Sequence, residues 1–399
     1  ARSASAQAAK GPKDLQPLVA MNQRLGQMQL TGGNSCEFLT GYRESLQAMV
    51  TAIESATTSV HVEFYIMAVD DSTEEFFAAL SRAKKRGVQV RVLFDQVATR
   101  RIPGSRLLKR TLDDIRVEYR EMLPVQPWRG VYQRPDIRNH RKLLVVDSTI
   151  AFTGSQNIID SAYHRRGNKG LQWLDLMVKL TGPIVDDLEA LFVTDWFHET
   201  NVLLDLPQTS RMVSRGKSVM QLVPSGPAVE GESNLRMFNA LMYGAKNRIT
   251  IVSPYLVPDD SMRYAITSAA LRGVEVNVFV SEAGDQPTVF YAQRSYYEEL
   301  LTAGVRIWLY PAPSVLHSKF IVVDDRVAVM GTSNLDMRSF SLNLELSLLL
   351  ISETEVKRLA EIAAEYRERS QELTLDEWDR RGQATRFVEG LARVTATVQ

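Results

Sequence analysis

Two histidines stand in one recurring arrangement of polar residues. His140, Lys142, Asp147, Gly154, Ser155 and Asn157 follow the pattern H-x-K-x4-D-x6-G-[ST]-x-N. His317, Lys319, Asp324, Gly331, Thr332 and Asn334 repeat it, every position shifted by 177. At ordinary residue frequencies a single chance match in a chain this long has a probability of roughly 10⁻⁵. A second match at an equivalent place excludes coincidence. Residues two apart on a strand share a face, so His140 and Lys142 project together, and Ser155 and Asn157 do so on the returning strand. Asp147 lies five after Lys142, with opposite parity. It completes the catalytic motif, as Asp324 does in the second copy, but its place at a strand end suits ordering the turn or a neighbouring backbone.

This set suits a phosphodiester. Two lysines neutralise the non-bridging oxygens, and two asparagines donate hydrogen bonds as charge builds. A neutral histidine can attack phosphorus and form a phosphohistidine. A protonated one can donate to the leaving alkoxide and then activate the incoming alcohol. The sequence is symmetric between them. No cofactor is needed, and no cysteine or carboxylate cluster suggests a metal. A nucleophilic histidine needs its other nitrogen fixed, usually by a carboxylate. Asp175 in WLDLMVKL and Glu345 in NLELSLLLI each stand on the polar side of an alternating strand, and both are expected to orient a histidine. Ser155, Thr332, Arg138 and Arg338 are the expected substrate contacts.

The elements that carry these residues also come in two copies. ATTSVHVEFYIMAVDD at 56–71 matches AKNRITIVSPYLVPDD at 245–260, with Tyr65 aligned on Tyr255 at an offset of 190. Each copy reads as an alternating strand, an acidic turn, a helix (73–86 and 261–272), a glycine and a further strand (GVQVRV, GVEVNV). Strands alternating with helices predict an α/β sandwich in each half. The expected division is an N-terminal segment at 1–30 with a helix that could lie on a surface, a first domain at 31–206 and a second at 218–399. Two similar domains packed face to face, related by a pseudo-twofold, would place the active site at their interface.

Composition narrows the functions. Lys+Arg and Asp+Glu both number 47, so a general nucleic-acid coat is excluded and no nucleic-acid partner is expected. The 45% hydrophobic content excludes a largely disordered chain. The single cysteine, Cys36, excludes an internal disulfide framework. No apolar run reaches the length of a membrane span.

The paired motifs resemble those of the phospholipase D superfamily, and within it the bacterial cardiolipin synthases. The resemblance covers nearly the whole chain. It rests on RNHRK at 138–142, QLVPSGP at 221–227, SPYLVPDD at 253–260 and, above all, GTSNLDMRSFSLNLE at 331–345. It implies two phospholipase D-type α/β domains and transfer of a phosphatidyl group between two phosphatidylglycerol molecules, with release of glycerol. His140 is then the nucleophile and His317 the acid and base. Hydrolysis to phosphatidic acid, through the same intermediate, is the first alternative; a nuclease of the superfamily is the second. The resemblance further implies a bacterial membrane setting. Relatives of this kind carry N-terminal spanning segments that this chain lacks, so a removed anchor or a peripheral enzyme is expected.

The remaining candidates have plainer readings. His61 is expected in the core and His198 at a helix end, while His164 lies in a basic loop. The segment 122–138, with Trp128, Arg129, Tyr132 and Arg134, suits lipid headgroups. Arg100, Arg101, Arg106, Lys109 and Arg110 form a basic patch. Leu18, Met21, Leu25 and Met28 make one apolar helical stripe, and Phe387, Leu391, Val394 and Val398 another. Both are expected to pack on their own domain, with a membrane surface as the alternative.

Overall fold

The computed structural model describes residues 9–126, 131–163, 170–205, 216–227, 229, 231–284 and 286–394. His164, Trp128, Arg129, Val398 and most of the stretch between the expected domains lie outside the described residues.

Both halves build the same sheet. From the first-half edge the strands run Glu118–Met122, Gln89–Asp95, Ser59–Phe64, Lys142–Val146, Ile150–Gly154, Met177–Thr181 and Leu30–Leu39. The second half continues through Ser218–Ser225, Glu345–Leu350, Val327–Gly331, Phe320–Val323, Arg248–Val252, Glu275–Ser281, Arg306–Tyr310 and Gln371–Leu373. In each half the strand before the motif runs parallel to the one after its helix, as a helical crossover requires. The motif itself is an antiparallel hairpin. The halves are therefore joined edge to edge, at an antiparallel pairing of Leu30 with Gln221 and Thr31 with Met220.

The faces of this sheet explain the apolar patterning. Leu143 and Val145, with Phe320 and Val322, point into one core shared by both halves. Helices Ile184–Thr200 and Glu353–Arg369 fill that core with Leu188, Phe192, Leu359 and Ile362. Leu144 and Val146 point the other way, onto helices Tyr42–Ser55 and Glu74–Lys85. Ile321 and Val323 do the same against Ser233–Gly244 and Asp260–Leu271. A strand buried on both faces needs a continuous apolar run, which LLVV and FIVV supply.

Pairing register corrects one alignment. Glu63 faces Leu143 and Val252 faces Phe320, so the offset at this strand is 189. Tyr65 and Tyr255 are not equivalent positions. The helix Gln16–Gly26 buries Leu18 in the second half's core, with Val19 and Met21 packed alongside.

Candidate active site

The motif histidines enter the sheet through strands of the opposite half. The His140 N–H donates to the Leu344 carbonyl at 2.9 Å, and Leu344 N–H returns a bond to Arg138. In the second half, Ser314–Leu316 runs parallel to Gln172–Leu174, and the His317 N–H donates to Leu174 at 2.9 Å. Each histidine is thereby fixed beside the residue that follows its partner: Glu345 for His140, Asp175 for His317.

The side chains complete two crossed pairs. His140 Nδ1 lies 2.9 and 3.0 Å from the Glu345 carboxylate oxygens. His317 Nδ1 lies 2.7 Å from Asp175 Oδ1. Neither half alone contains a motif histidine with its carboxylate. Burial works against both carboxylates, yet the facing imidazoles, the nearby lysines and a hydroxyl outweigh it and hold both pKa values below the ordinary range. An ionised carboxylate accepts from Nδ1–H, which leaves Nε2 of each ring for the cavity that both rings line.

Electrostatics favour neutral imidazoles in the cleft. Burial lowers the His140 pKa to about 4 despite Glu345, with Lys142 pushing the same way. Burial and Lys319 lower that of His317. Burial also lowers Lys142 to about 7, and Lys319 adds to the effect. Each lysine Nζ donates to the carbonyl of its own motif histidine, at 2.7 Å for Lys142 and 2.6 Å for Lys319. The cluster thus concentrates cationic capacity that an entering anion would draw out.

The cavity measures about 320 Å³ and takes walls from both halves. Asn157 and Asn334 line it with the histidines. Asn157 Oδ1 accepts from Ile66 N–H at 3.3 Å, and Asn334 Oδ1 is buried without a hydrogen-bond partner. Arg138 and Arg338 also line it. Trp173 stacks on His317 with centroids 5.1 Å apart, whereas Tyr65 meets His140 edge-on at 4.8 Å.

Four expected site residues lie elsewhere. Ser155 and Thr332, read as substrate contacts, are fully buried. Their hydroxyls donate to the carboxylates instead, Ser155 to Asp175 at 2.6 Å and Thr332 to Glu345 at 2.5 Å. They hold the residues that hold the histidines. Asp147 and Asp324, read as part of the catalytic motif, sit at the far end of their strands. Asp147 accepts from the N–H groups of Thr57, Thr58 and Ser59 at 2.8 Å each. Asp324 accepts from Lys246, Asn247 and Arg248 at 2.7–2.9 Å. They pin the hairpin to the start of the neighbouring strand and do not reach the cavity.

Other residues emerge only in three dimensions. Asp95 accepts from Asn139 N–H at 3.0 Å and pairs with Arg138 at 3.3 Å, while Arg141 pairs with Asp195 and donates to the Glu345 carbonyl. These buried ions brace the His140 side. The second half answers with Ser281, Ser318 and Tyr366. A single sequence offers no signal for either set beyond the acid ending FD at 94–95. His61 is a core residue, 2.5 Å from Glu189 and stacked on Phe192. His198 is exposed near its helix end.

Comparison with known proteins agrees with this geometry. The family model described as "Cardiolipin synthase, PLD-like domain" matches residues 49–196 and 239–369. The chain is 33% identical over 368 residues to cardiolipin synthase A of Proteus mirabilis (strain HI4320), covering 90% of this chain and 74% of that one. It is 33% identical over 384 residues to the cardiolipin synthase of Geobacillus sp. (strain WCH70), covering 95% and 75%. The crystal structure of phosphatidylserine synthase from Haemophilus influenzae Rd KW20 superposes with a TM-score of 0.71 at 16% identity, over 96% of this chain and all of that one.

Proposed function

The chain belongs to the cardiolipin synthase family of phospholipase D-like proteins, and from that premise we propose that it transfers a phosphatidyl group from one phosphatidylglycerol to another. The observation that carries this reading is the crossed pair of histidine–carboxylate contacts opening on one cavity. Residues 31–206 and 218–399 act as the two units that meet there.

In the first step Nε2 of His140 attacks phosphorus, and the bond from phosphorus to the glycerol oxygen breaks. His317 gives its Nε2 proton to that oxygen, and glycerol leaves. In the second step the hydroxyl oxygen of another phosphatidylglycerol attacks phosphorus and the P–N bond breaks. Its proton passes to His317, and both rings return to their starting states. Glu345 supports the positive charge that His140 gains. Asn157, Asn334 and the lysines stabilise the charge on the equatorial oxygens. His317 must be protonated to begin. The phosphodiester anion counters the burial and the Lys319 repulsion that favour its neutral form.

The substrate places this enzyme on a lipid surface. Among the described residues no helix is long and apolar enough to cross a membrane. A surface helix with its apolar side outward, Gln383–Val394, supports contact with lipid headgroups and acyl chains.

Incubation with phosphatidylglycerol vesicles tests the reading. Cardiolipin and glycerol in equal amounts are expected, and His140→Ala should fall below about one thousandth of the parent rate. Phosphatidic acid as the sole lipid product, with glycerol released, would make the protein a hydrolase, and full activity in His140→Ala would sink the phosphohistidine.

A further inference from the structure

Transfer between two phosphatidylglycerols brings two phosphodiester anions to one cavity. One is cleaved. The other is a spectator on the acceptor lipid, three carbons from the attacking hydroxyl. Like charges at that range repel, and the repulsion grows where water is scarce. The histidines, lysines and asparagines serve the scissile group, so the spectator phosphate needs its own cations.

Three arginines line the cavity: Arg101, Arg138 and Arg338. Arg138 is already committed. It pairs with the buried Asp95 at 3.3 Å and donates to the Leu123 and Arg134 carbonyls. The other two form no ion pair among the described residues, although the Arg338 charge is felt by the Asp336 carboxyl on the same cavity wall. Arg338 donates to the Asp136 carbonyl at 2.7 Å and meets no carboxylate within ion-pair distance among the described residues. The Asp136 carboxylate is itself held by Arg134. Arg101 is exposed on the wall, beside Val97, Ala98 and Ile102. Among the described residues its guanidinium makes neither a hydrogen bond nor an ion pair. One arginine comes from each half, as the two histidines do.

We propose that Arg101 and Arg338 form a subsite for the spectator phosphodiester of the acceptor lipid. Planar guanidinium groups fit a phosphate's non-bridging oxygens and keep their charge at any working pH. Such a subsite would favour an alcohol that carries a phosphodiester over water or a neutral alcohol. It therefore sets what the phosphohistidine is transferred to, and the inference rests on the transfer reading.

Competition within one reaction tests it. Phosphatidylglycerol vesicles containing ethanol let a single intermediate partition among cardiolipin, phosphatidylethanol and phosphatidic acid. The ratio of cardiolipin to phosphatidylethanol cancels any loss of folded protein. In Arg101→Ala/Arg338→Ala that ratio should fall at least about 10-fold, since the acceptor phosphodiester loses both charged hydrogen-bond donors. Lysine at both positions should restore part of it. An unchanged ratio overturns the subsite. It does so even where all three products fall together, since the subsite must act on the ratio. The parent protein is assayed first: if it forms phosphatidylethanol but no cardiolipin, the transfer reading fails, and the subsite with it.

Discussion

At the scale of residues, the cleft holds more cationic capacity than it displays. Burial lowers the pKa of His140 to about 4 and of Lys142 to about 7, and His317 moves the same way. A bound phosphodiester favours the charged form of each group, so binding should raise these values and take up protons. By linkage, affinity for the anion then rises as pH falls from about 8 to about 6, while a phosphodiester itself stays a monoanion. Glycerophosphoglycerol, the headgroup without acyl chains, suits the measurement. Calorimetry in buffers of different ionisation enthalpy should report net proton uptake near neutral pH. Binding with no buffer dependence would mean that the cleft is fully charged before the ligand arrives.

The reactive residues were legible in the sequence because their chemistry and spacing repeat. The two carboxylates beside the histidines could be read as well, but the roles of the hydroxyls that hold those carboxylates could not. Parity places Ser155 on the face of Asn157, but it cannot say that Asp175, in the break between two strands, arrives there first and takes the hydroxyl. Arg338 shows the same limit, since its contact with the Asp136 carbonyl spans 202 residues.

At the scale of elements, the motif's aspartate and glycine explain why the hairpin has its shape. Asp147 and Ser148 occupy left-handed backbone at φ 51° and 52°, and Asp324 and Asp325 repeat this at 54° and 53°. Aspartate tolerates that region, and its carboxylate collects three N–H groups from the start of the adjacent strand. The glycines solve a crowding problem. A Cβ at Gly154 would stand 2.2 Å from the Leu176 carbonyl oxygen, and one at Gly331 2.3 Å from that of Leu346. Those carbonyls directly follow Asp175 and Glu345 in the chain, so the glycine lets the segment that carries the carboxylate close on the motif's returning strand. Asp147→Ala should therefore cost about 1–3 kcal/mol of stability, seen as a lower melting temperature. Turnover per folded molecule should stay within a few-fold of the parent, because the carboxylate lies at the far end from His140. A loss as deep as that of His140→Ala, with unchanged melting, would return Asp147 to the chemistry. The hairpin and its turn could be read from LLVVD and FIVVD. The crossing of histidine and carboxylate between halves could not, because contacts across 205 and 142 residues leave no local periodicity.

At the scale of the whole molecule, duplication gives a cleft, and the proposed lipid substrate would bring that cleft to a membrane. The helix Gln383–Val394 has the surface that suits such a contact. Its inward side is polar: Glu389 is buried against Arg294 at 2.8 Å and against Arg381, and Arg393 reaches Glu299. Its outward side is apolar, with Phe387 74% and Leu391 60% exposed and Val388 between them. This reverses the usual arrangement, in which a helix turns its apolar stripe to the core. The expected packing of that stripe on its own domain is thus not what the structure has, whereas the N-terminal stripe does pack inward through Leu18. The helix lies against Pro287–Arg294, whose Val289 lines the cavity, so one element separates it from the site. Burying two such side chains in the acyl boundary contributes about 1.5–3 kcal/mol apiece. Phe387→Ser/Leu391→Ser should weaken sedimentation with phosphatidylglycerol vesicles by at least about 10-fold. Turnover of detergent-dispersed phosphatidylglycerol should persist, because Glu389 and its arginines still hold the helix in place. Unchanged vesicle binding would move the membrane contact to another surface, and loss of both properties would make the helix a structural brace instead.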